Sequence, residues 1–426
     1  MDRLALRGAD LVLVGMHWLW RGLGLSNNTL FVVELDAPVD PERIRRALDR
    51  FLDLCPWPAA RLARPFPWGA LHWAAGDRAG LPAPLVRHRP AASDDERHAA
   101  LEAELNAAID PRREPPLRVL ILGRLLVLTW FHPLMDPRGG QNLLVHLADL
   151  DRHGGRVPEG AARPVFVAAP DPRPLRERGR IARSSLAHMR ALAAVPPISL
   201  GTGVTARGRI RFRQQRFLER EPAGEDRRAT REISWRLALV GRALAELWRR
   251  RGLPDVPFLV PISVDLRPKG EPGPIFGNLL AFHFARFRPS ETADLPELAR
   301  TLRGRMAEAL RDGQIEANAV AMDFLRYRPL RWMLRELPWT AERETFSFNC
   351  ADIGEFVPAG TLFGRTVVNA YHAPAILPRP GIGVFFNRCC GQSNLVTTWV
   401  EGVVSEDEVT RIVDVIREGL GWDRTC

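Results

Sequence analysis

The sequence predicts an α/β protein in two halves, each built on a mixed sheet. Three observations lead there. The chain has 426 residues, enough for two ordinary domains. Hydrophobic residues make up 46% and charged residues 26%, the balance of a globular chain with a buried core. Strand-like and helix-like segments alternate on both sides of a Pro-, Arg- and Gly-rich stretch at about 154–207. That stretch is read as a crossover, with the halves at 1–175 and 176–426.

In the first half, Thr29–Leu35 is apolar and β-branched and reads as a strand. Asp40-Pro41 starts a helix, with aspartate as N-cap and proline at the first helical position. Its apolar face is Ile44, Leu48, Phe51 and Leu52. Ser93-Asp94-Asp95-Glu96 is a capping box opening a second helix, with Leu101, Leu105, Ala108 and Ile109 on one side. Leu117–Leu122 and Leu125–Phe131 flank Gly123-Arg124 and read as a hairpin of buried strands. A helix from about Gln141 to Asp149 closes the unit.

The crossover carries one helix near 175–193. Beyond it, Arg209–Phe217 is a strand and Thr230–Arg251 a long helix stopped by Gly252. Ile233, Leu237, Val240, Leu244 and Leu247 share one face of that helix. Phe258–Val264 is a buried strand, and Leu295, Leu298, Leu302, Met306 and Leu310 mark another helix. The runs Phe346–Cys350, Thr366–Tyr371, Gly383–Asn387 and Asn394–Val400 are short strands, and Ser405-Glu406-Asp407-Glu408 caps a final helix.

Composition removes several classes of function. The net charge is +10, yet Lys269 is the only lysine and arginine supplies the rest. No basic cluster is interleaved with aromatics, which argues against nucleic-acid binding. The longest apolar stretch, near 117–131, is interrupted by Arg118 and Arg124, so no membrane span is expected. The N-terminus, Met1-Asp2-Arg3-Leu4, lacks a signal-peptide pattern. The five cysteines are scattered and odd in number and read as reduced thiols, so a cytoplasmic location is expected. The vicinal Cys389-Cys390 pair suits neither a CxxC redox site nor a zinc knuckle. The histidines have no metal-ligand spacing, Gly22-Leu23-Gly24 does not sit between a strand and a helix, and no Gly-x-Ser-x-Gly elbow occurs.

One segment stands out as a chemical centre: His132-Pro133-Leu134-Met135-Asp136-Pro137, at the exit of the buried strand 125–131. The pattern is His-x-x-x-Asp. An imidazole titrates near working pH and suits a general base. Position alone leaves a plainer reading open, a strand-end histidine bonded to backbone followed by an N-capping aspartate.

With these residues in hand, the chain resembles the acyltransferase superfamily that shares the chloramphenicol-acetyltransferase fold. That superfamily includes nonribosomal peptide condensation domains, polyketide-associated acyltransferases and wax ester synthases. Its signature is His-His-x-x-x-Asp-Gly, matched here at His132 and Asp136. Asp40–Leu48 looks like the family's first helix and Pro116–Val119 like the strand leading to the motif. Pro261–Pro268 followed by Phe276-Gly277-Asn278 is similar to its Arg-then-Gly-Asn segment. Three features depart from the pattern. Phe131 stands for the first histidine, Pro137 for the glycine, and only Phe363-Gly364 is faintly like the family's Asp-Phe-Gly-Trp-Gly loop. Ile233-Ser234-Trp235-Arg236 lacks the Asn-Asp of wax ester synthases and counts against that branch.

The resemblance implies two chloramphenicol-acetyltransferase-like subdomains forming a V around a central tunnel. It implies a free-standing, monomeric acyltransferase of natural-product or lipid biosynthesis. The acyl group would pass from a pantetheine thioester, on coenzyme A or an acyl carrier protein, to a small-molecule alcohol or amine. No cofactor and no metal would be needed. His132 would be the base, with no covalent acyl-enzyme. Asp136 would point away from substrate and pair with Arg267 in an architectural role. Ser347 and Asn349 would be oxyanion or substrate contacts, against the alternative that they are ordinary strand residues. The alternative function is a degenerate relative that binds a carrier protein or ligand without turnover, a reading motivated by Phe131 and Pro137.

Overall fold

The structure is a computed structural model that describes residues 2–21, 25–64, 69–75, 84–90, 93–156, 171–203, 208–219, 232–268, 275–327, 344, 346–358 and 360–424. Gly22-Leu23-Gly24, Lys269 and Cys426 lie outside this set.

The alternation of strand and helix resolves into two five-stranded mixed sheets, a two-stranded hairpin and a small three-stranded sheet among the described residues. The first large sheet runs Val367–Pro374, Asn28–Leu35, Leu125–Phe131, Leu117–Leu122 and Leu85–Arg89. Only its last pair is parallel. Asn28–Leu35 is buried at every position because both of its faces are covered. Leu30 and Val32 join one core, which also holds Leu101 and Leu105 from the helix Asp94–Asn106. Phe31, Val33 and Leu35 join the other, with the helices Pro41–Leu54 and Pro137–Arg152. This is the period of two expected for a strand.

The second large sheet runs Asn349–Phe356, Ile382–Cys389, Gln392–Val400, Ile210–Glu219 and Trp422–Arg424. Its first pair is parallel. The helices Ile233–Arg250 and Glu406–Leu420 pack together, and their apolar faces share a core with this sheet. That core also takes in Leu30, Val32 and Leu120 of the first sheet, so apolar packing is continuous between the halves. The hairpin Phe258–Asp265/Leu280–Phe287 is fully antiparallel.

Predicted caps are present. Asp40 accepts the Glu42 N–H, and Ser93 and Ser405 each close a capping box. The crossover helix spans Leu175–Ala193. Other elements differ from the sequence reading. The second helix ends at Asn106, before Ala108 and Ile109, although Ile109 is still buried. The helix expected from Gln141 begins at Pro137, because Asp136 caps it and the proline needs no N–H there. The strand expected at Phe346–Cys350 opens at Asn349 and runs to Phe356. The strand expected at Thr366–Tyr371 runs from Val367 to Pro374 and lies in the first sheet, paired with Asn28–Leu35. Among the elements not anticipated are the helices Gly8–Arg21 and Gln314–Asp323 and the strands Leu85–Arg89, Leu280–Phe287 and Trp422–Arg424, together with the short strands of the three-stranded sheet. Among the described residues no helix is long and apolar enough to cross a membrane.

Candidate active site

The site is built where strand Leu125–Phe131 ends. His132 N–H donates to the Asn27 carbonyl at 2.9 Å, extending the sheet by one bond. Residues His132–Leu134 then make a single 3-10 turn. Trp130, buried below it, donates its indole N–H to the Met135 carbonyl at 2.8 Å and fixes the far side of the turn. Phe131 points into the core, with its ring against His17 at 4.8 Å and Trp73 at 6.5 Å.

Asp136 closes the turn and starts the helix. Its carboxylate accepts from Gly139 N–H (2.8 Å) and from Leu279 N–H (2.9 Å). Arg267 grips it with both terminal nitrogens, at 2.9 and 2.8 Å. Four donors on two oxygens leave this carboxylate nothing to offer a substrate. Arg267 in turn donates to the carbonyls of Gly277 (2.9 Å) and Ile275 (3.2 Å) and to Asp265 (3.0 Å). The pair ties the His132 turn to the segment after the hairpin's first strand. Glycines at the helix start make room for this. A Cβ on Gly139 would lie 1.8 Å from the Phe276 carbonyl oxygen, and one on Gly140 would lie 2.7 Å from the Trp130 ring.

Asn278 holds the turn from the other side. Its amide nitrogen donates to the Pro133 carbonyl (3.1 Å), the His132 carbonyl (3.3 Å) and the buried carboxyl of Asp10 (2.8 Å). Asp10 lies in the first turn of helix Gly8–Arg21, which packs on the His132 turn.

His132 itself is half-buried. Its Nδ1 is shut off from solvent without a well-formed hydrogen bond. Burial lowers its pKa, and the backbone of His132 and Met135 and the charge of Asp136 only partly offset that. At neutral pH the ring is therefore neutral, the form in which an imidazole accepts a proton. A second imidazole, His372, is fully buried nearby, stacked on Phe31 at 4.2 Å and within 3.2 Å of the Gln141 amide. Burial, with Arg138 and His132 adding to it, pushes His372 down to about 3.

The structure thus brings His132, Asp136, Arg267, Gly277 and Asn278 together. Ser347 and Asn349 are placed on the hairpin side. Ser347 is buried, and its hydroxyl accepts the Leu259 N–H at 3.1 Å. Asn349 is half-buried and opens its strand opposite Gly383. Neither hydrogen-bonds His132 among the described residues. Sequence reasoning missed Asp10 and His372. The one local signal for Asp10 was an acid directly before the apolar run Leu11–Val14. Among the described residues no group of His, Cys, Asp and Glu is arranged to hold a metal ion.

No protein-family model and no curated protein matches the chain by sequence. Solved structures do match. The TRI3 trichothecene 15-O-acetyltransferase from Fusarium sporotrichioides superposes with a TM-score of 0.69 at 12% identity, over 98% of this chain and 95% of that one. A mutant starter condensation domain of rhizomide synthetase RzmA, in complex with C8-CoA and Leu-SNAC, gives 0.67 at 14% identity, over 98% and 94%. Polyketide synthase associated protein 5 from Mycobacterium tuberculosis gives 0.62 at 14% identity, over 98% and 97%. Identities this low speak for architecture alone, and the architecture agrees over nearly the full length of each chain: this chain has the chloramphenicol-acetyltransferase-like α/β fold that these structures share.

Proposed function

We propose that the chain is a free-standing acyltransferase. It moves an acyl group from a pantetheine thioester, on coenzyme A or an acyl carrier protein, to an alcohol or amine. One observation carries the reading: a neutral, half-buried imidazole at a strand end, on a turn locked by the Asp136–Arg267 pair. His132 takes the acceptor's proton as its oxygen or nitrogen attacks the thioester carbonyl. The tetrahedral oxyanion needs donors, for which Ser347 and Asn349 are the proposed candidates. Collapse expels the thiolate, which takes the proton back from His132, so no cofactor is required and no acyl-enzyme forms. Asp136 and Arg267 act as a strut, and Pro137 as the first residue of the helix does not disturb it. The halves are proposed to divide near residue 175, with donor and acceptor entering the cleft from opposite faces. The neighbours named above support the class: one is named an O-acetyltransferase and another is held with C8-CoA and Leu-SNAC.

A carrier protein is usually acidic, and this chain offers arginines to meet it. Arg176, Arg180 and Arg183 stand exposed along the crossover helix and line a shallow recess there. Intact-protein mass spectrometry of acyl carriers and coenzyme A thioesters, with a pool of acceptors, tests the function. Transfer is expected, and His132→Ala is expected to lower it by roughly 10²–10⁴-fold with the fold intact. Unchanged transfer in that variant removes His132 from the mechanism. Carrier binding without any transfer would favour the non-catalytic relative. With a carrier-bound donor, apparent affinity should weaken as salt rises towards molar levels. An affinity indifferent to salt rules out docking by the arginine face.

A further inference from the structure

Asp10 is a buried carboxyl that the proposed chemistry does not use. It is only 4% exposed, at the start of helix Gly8–Arg21. One oxygen accepts the Arg7 N–H at 2.7 Å, as an acid in a first helical turn often does. The other accepts from Asn278 at 2.8 Å. A helix cap has no need of that second bond. The Asn278 amide nitrogen also reaches the carbonyls of His132 and Pro133, while its own oxygen is buried with no partner.

This arrangement has a direction. An ionised Asp10 only accepts, so it holds the nitrogen end of the Asn278 amide towards itself and towards the two carbonyls. A protonated Asp10 has a hydroxyl to donate, and the orphaned Asn278 oxygen is the nearby acceptor that lacks a donor. Turning the amide to satisfy both would take the nitrogen off the His132 turn. We propose that Asp10 is a positioning residue for His132, acting through the Asn278 amide, and that the turn is held when Asp10 is ionised and released when it is protonated. The proposal rests on the reading of His132 as the base.

The charged groups around Asp10 are few. Arg7 precedes it, Asp323 ends the helix Gln314–Asp323 and accepts the Gly8 N–H at 3.0 Å, and Arg326 lies beside Arg7. His132 lies across Asn278. Burial, the largest influence, pushes the Asp10 carboxyl up to about 7, with Asp323 adding to it and Arg7 and Asn278 opposing. The release therefore falls near neutral pH, above the titration of His132, which burial holds below its ordinary 6.5.

The test follows the ring of His132 by NMR of protein carrying ¹³C-labelled histidine, the signal assigned by its loss in His132→Ala. In the unsubstituted chain the His132 signal should show two steps, one near pH 7 and one lower. In Asp10→Asn the upper step should vanish and the lower remain. Where transfer is measurable, the acid limb of kcat/KM should start near pH 7, falling about tenfold per pH unit; in Asp10→Asn, a neutral stand-in for the protonated acid, the plateau should be lowered and only a limb at lower pH should remain. A single step in the unsubstituted chain overturns the proposal without any variant. So does an upper step, or an acid limb, that persists unchanged in Asp10→Asn, which would leave Asp10 a helix cap only. The NMR steps do not depend on turnover, so two steps in a chain that transfers nothing would sink the acyltransferase reading and keep the coupling.

Discussion

Two helix starts converge on the His132 turn, and they are built differently. Both begin with a carboxylate in or before the first turn, Asp136 before helix Pro137–Arg152 and Asp10 within helix Gly8–Arg21. Both carry a glycine with no room for a side chain: a Cβ on Gly139 would meet the Phe276 backbone at 1.8 Å, and one on Gly8 the Met322 backbone at 2.1 Å. The difference is the counter-charge. Asp136 is held by a bidentate guanidinium and two N–H groups. Asp10 has one N–H and one shared amide, and burial raises its pKa. A carboxylate with a matched arginine is a fixed strut; one with neutral donors is free to change state. Proximity to the same turn does not give two acids the same task.

The comparison breaks most severely at the strut. Arg267→Ala leaves Asp136 buried without its cation and is expected to cost about 3–5 kcal/mol, read as a fall in Tm alongside lost activity. Asp136→Ala should do the same from the other side. If both variants melt with the unsubstituted chain, the pair is not holding the turn. A smaller loss is expected for Gly139→Ala, about 1–3 kcal/mol, because the helix start must move off the Phe276 carbonyl. Denaturant unfolding measures it, and an unchanged midpoint would show that the close approach is unimportant. The smallest effect is the pH dependence carried by Asp10. The unfolded chain releases this proton near 3.8 and the folded chain near 7, so the folded state binds the extra proton between those values. Stability from this group is full below the lower value and declines as pH rises through the window. Asp10→Asn should flatten that part of the profile, which equilibrium unfolding across pH 4–8 would reveal.

Much of this was readable in the sequence because it is local. Asp40-Pro41, Ser93 and Ser405 announce their helices through side chains that reach two or three residues along the chain. The hairpin ending at Phe131 shows in its two apolar runs on either side of Gly123-Arg124. His132 and Asp136 were legible as a spacing, and Arg267, Gly277 and Asn278 through a family likeness. What stayed hidden is long-range. Helix Gly8–Arg21 is apolar almost throughout, so its period is faint. Asp10 meets Asn278, and Gln141 meets His372, across most of the chain, and no window of sequence holds such pairs. The pairing of Val367–Pro374 with Asn28–Leu35 fails for the same reason: its alternation identifies a strand but not its neighbour.

That borrowed strand also shapes how the chain comes to be folded. Asn28–Leu35 is made well before one of its two flanks, which waits for residues far downstream. Until then the sheet that leads to His132 presents a long apolar edge, the kind that recruits another chain as readily as its own. Cutting the molecule between its halves would make that exposure permanent, and the front piece is expected to self-associate rather than stand as a domain. The fold is divisible to the eye, but its first sheet is closed only by a strand from far downstream in the chain.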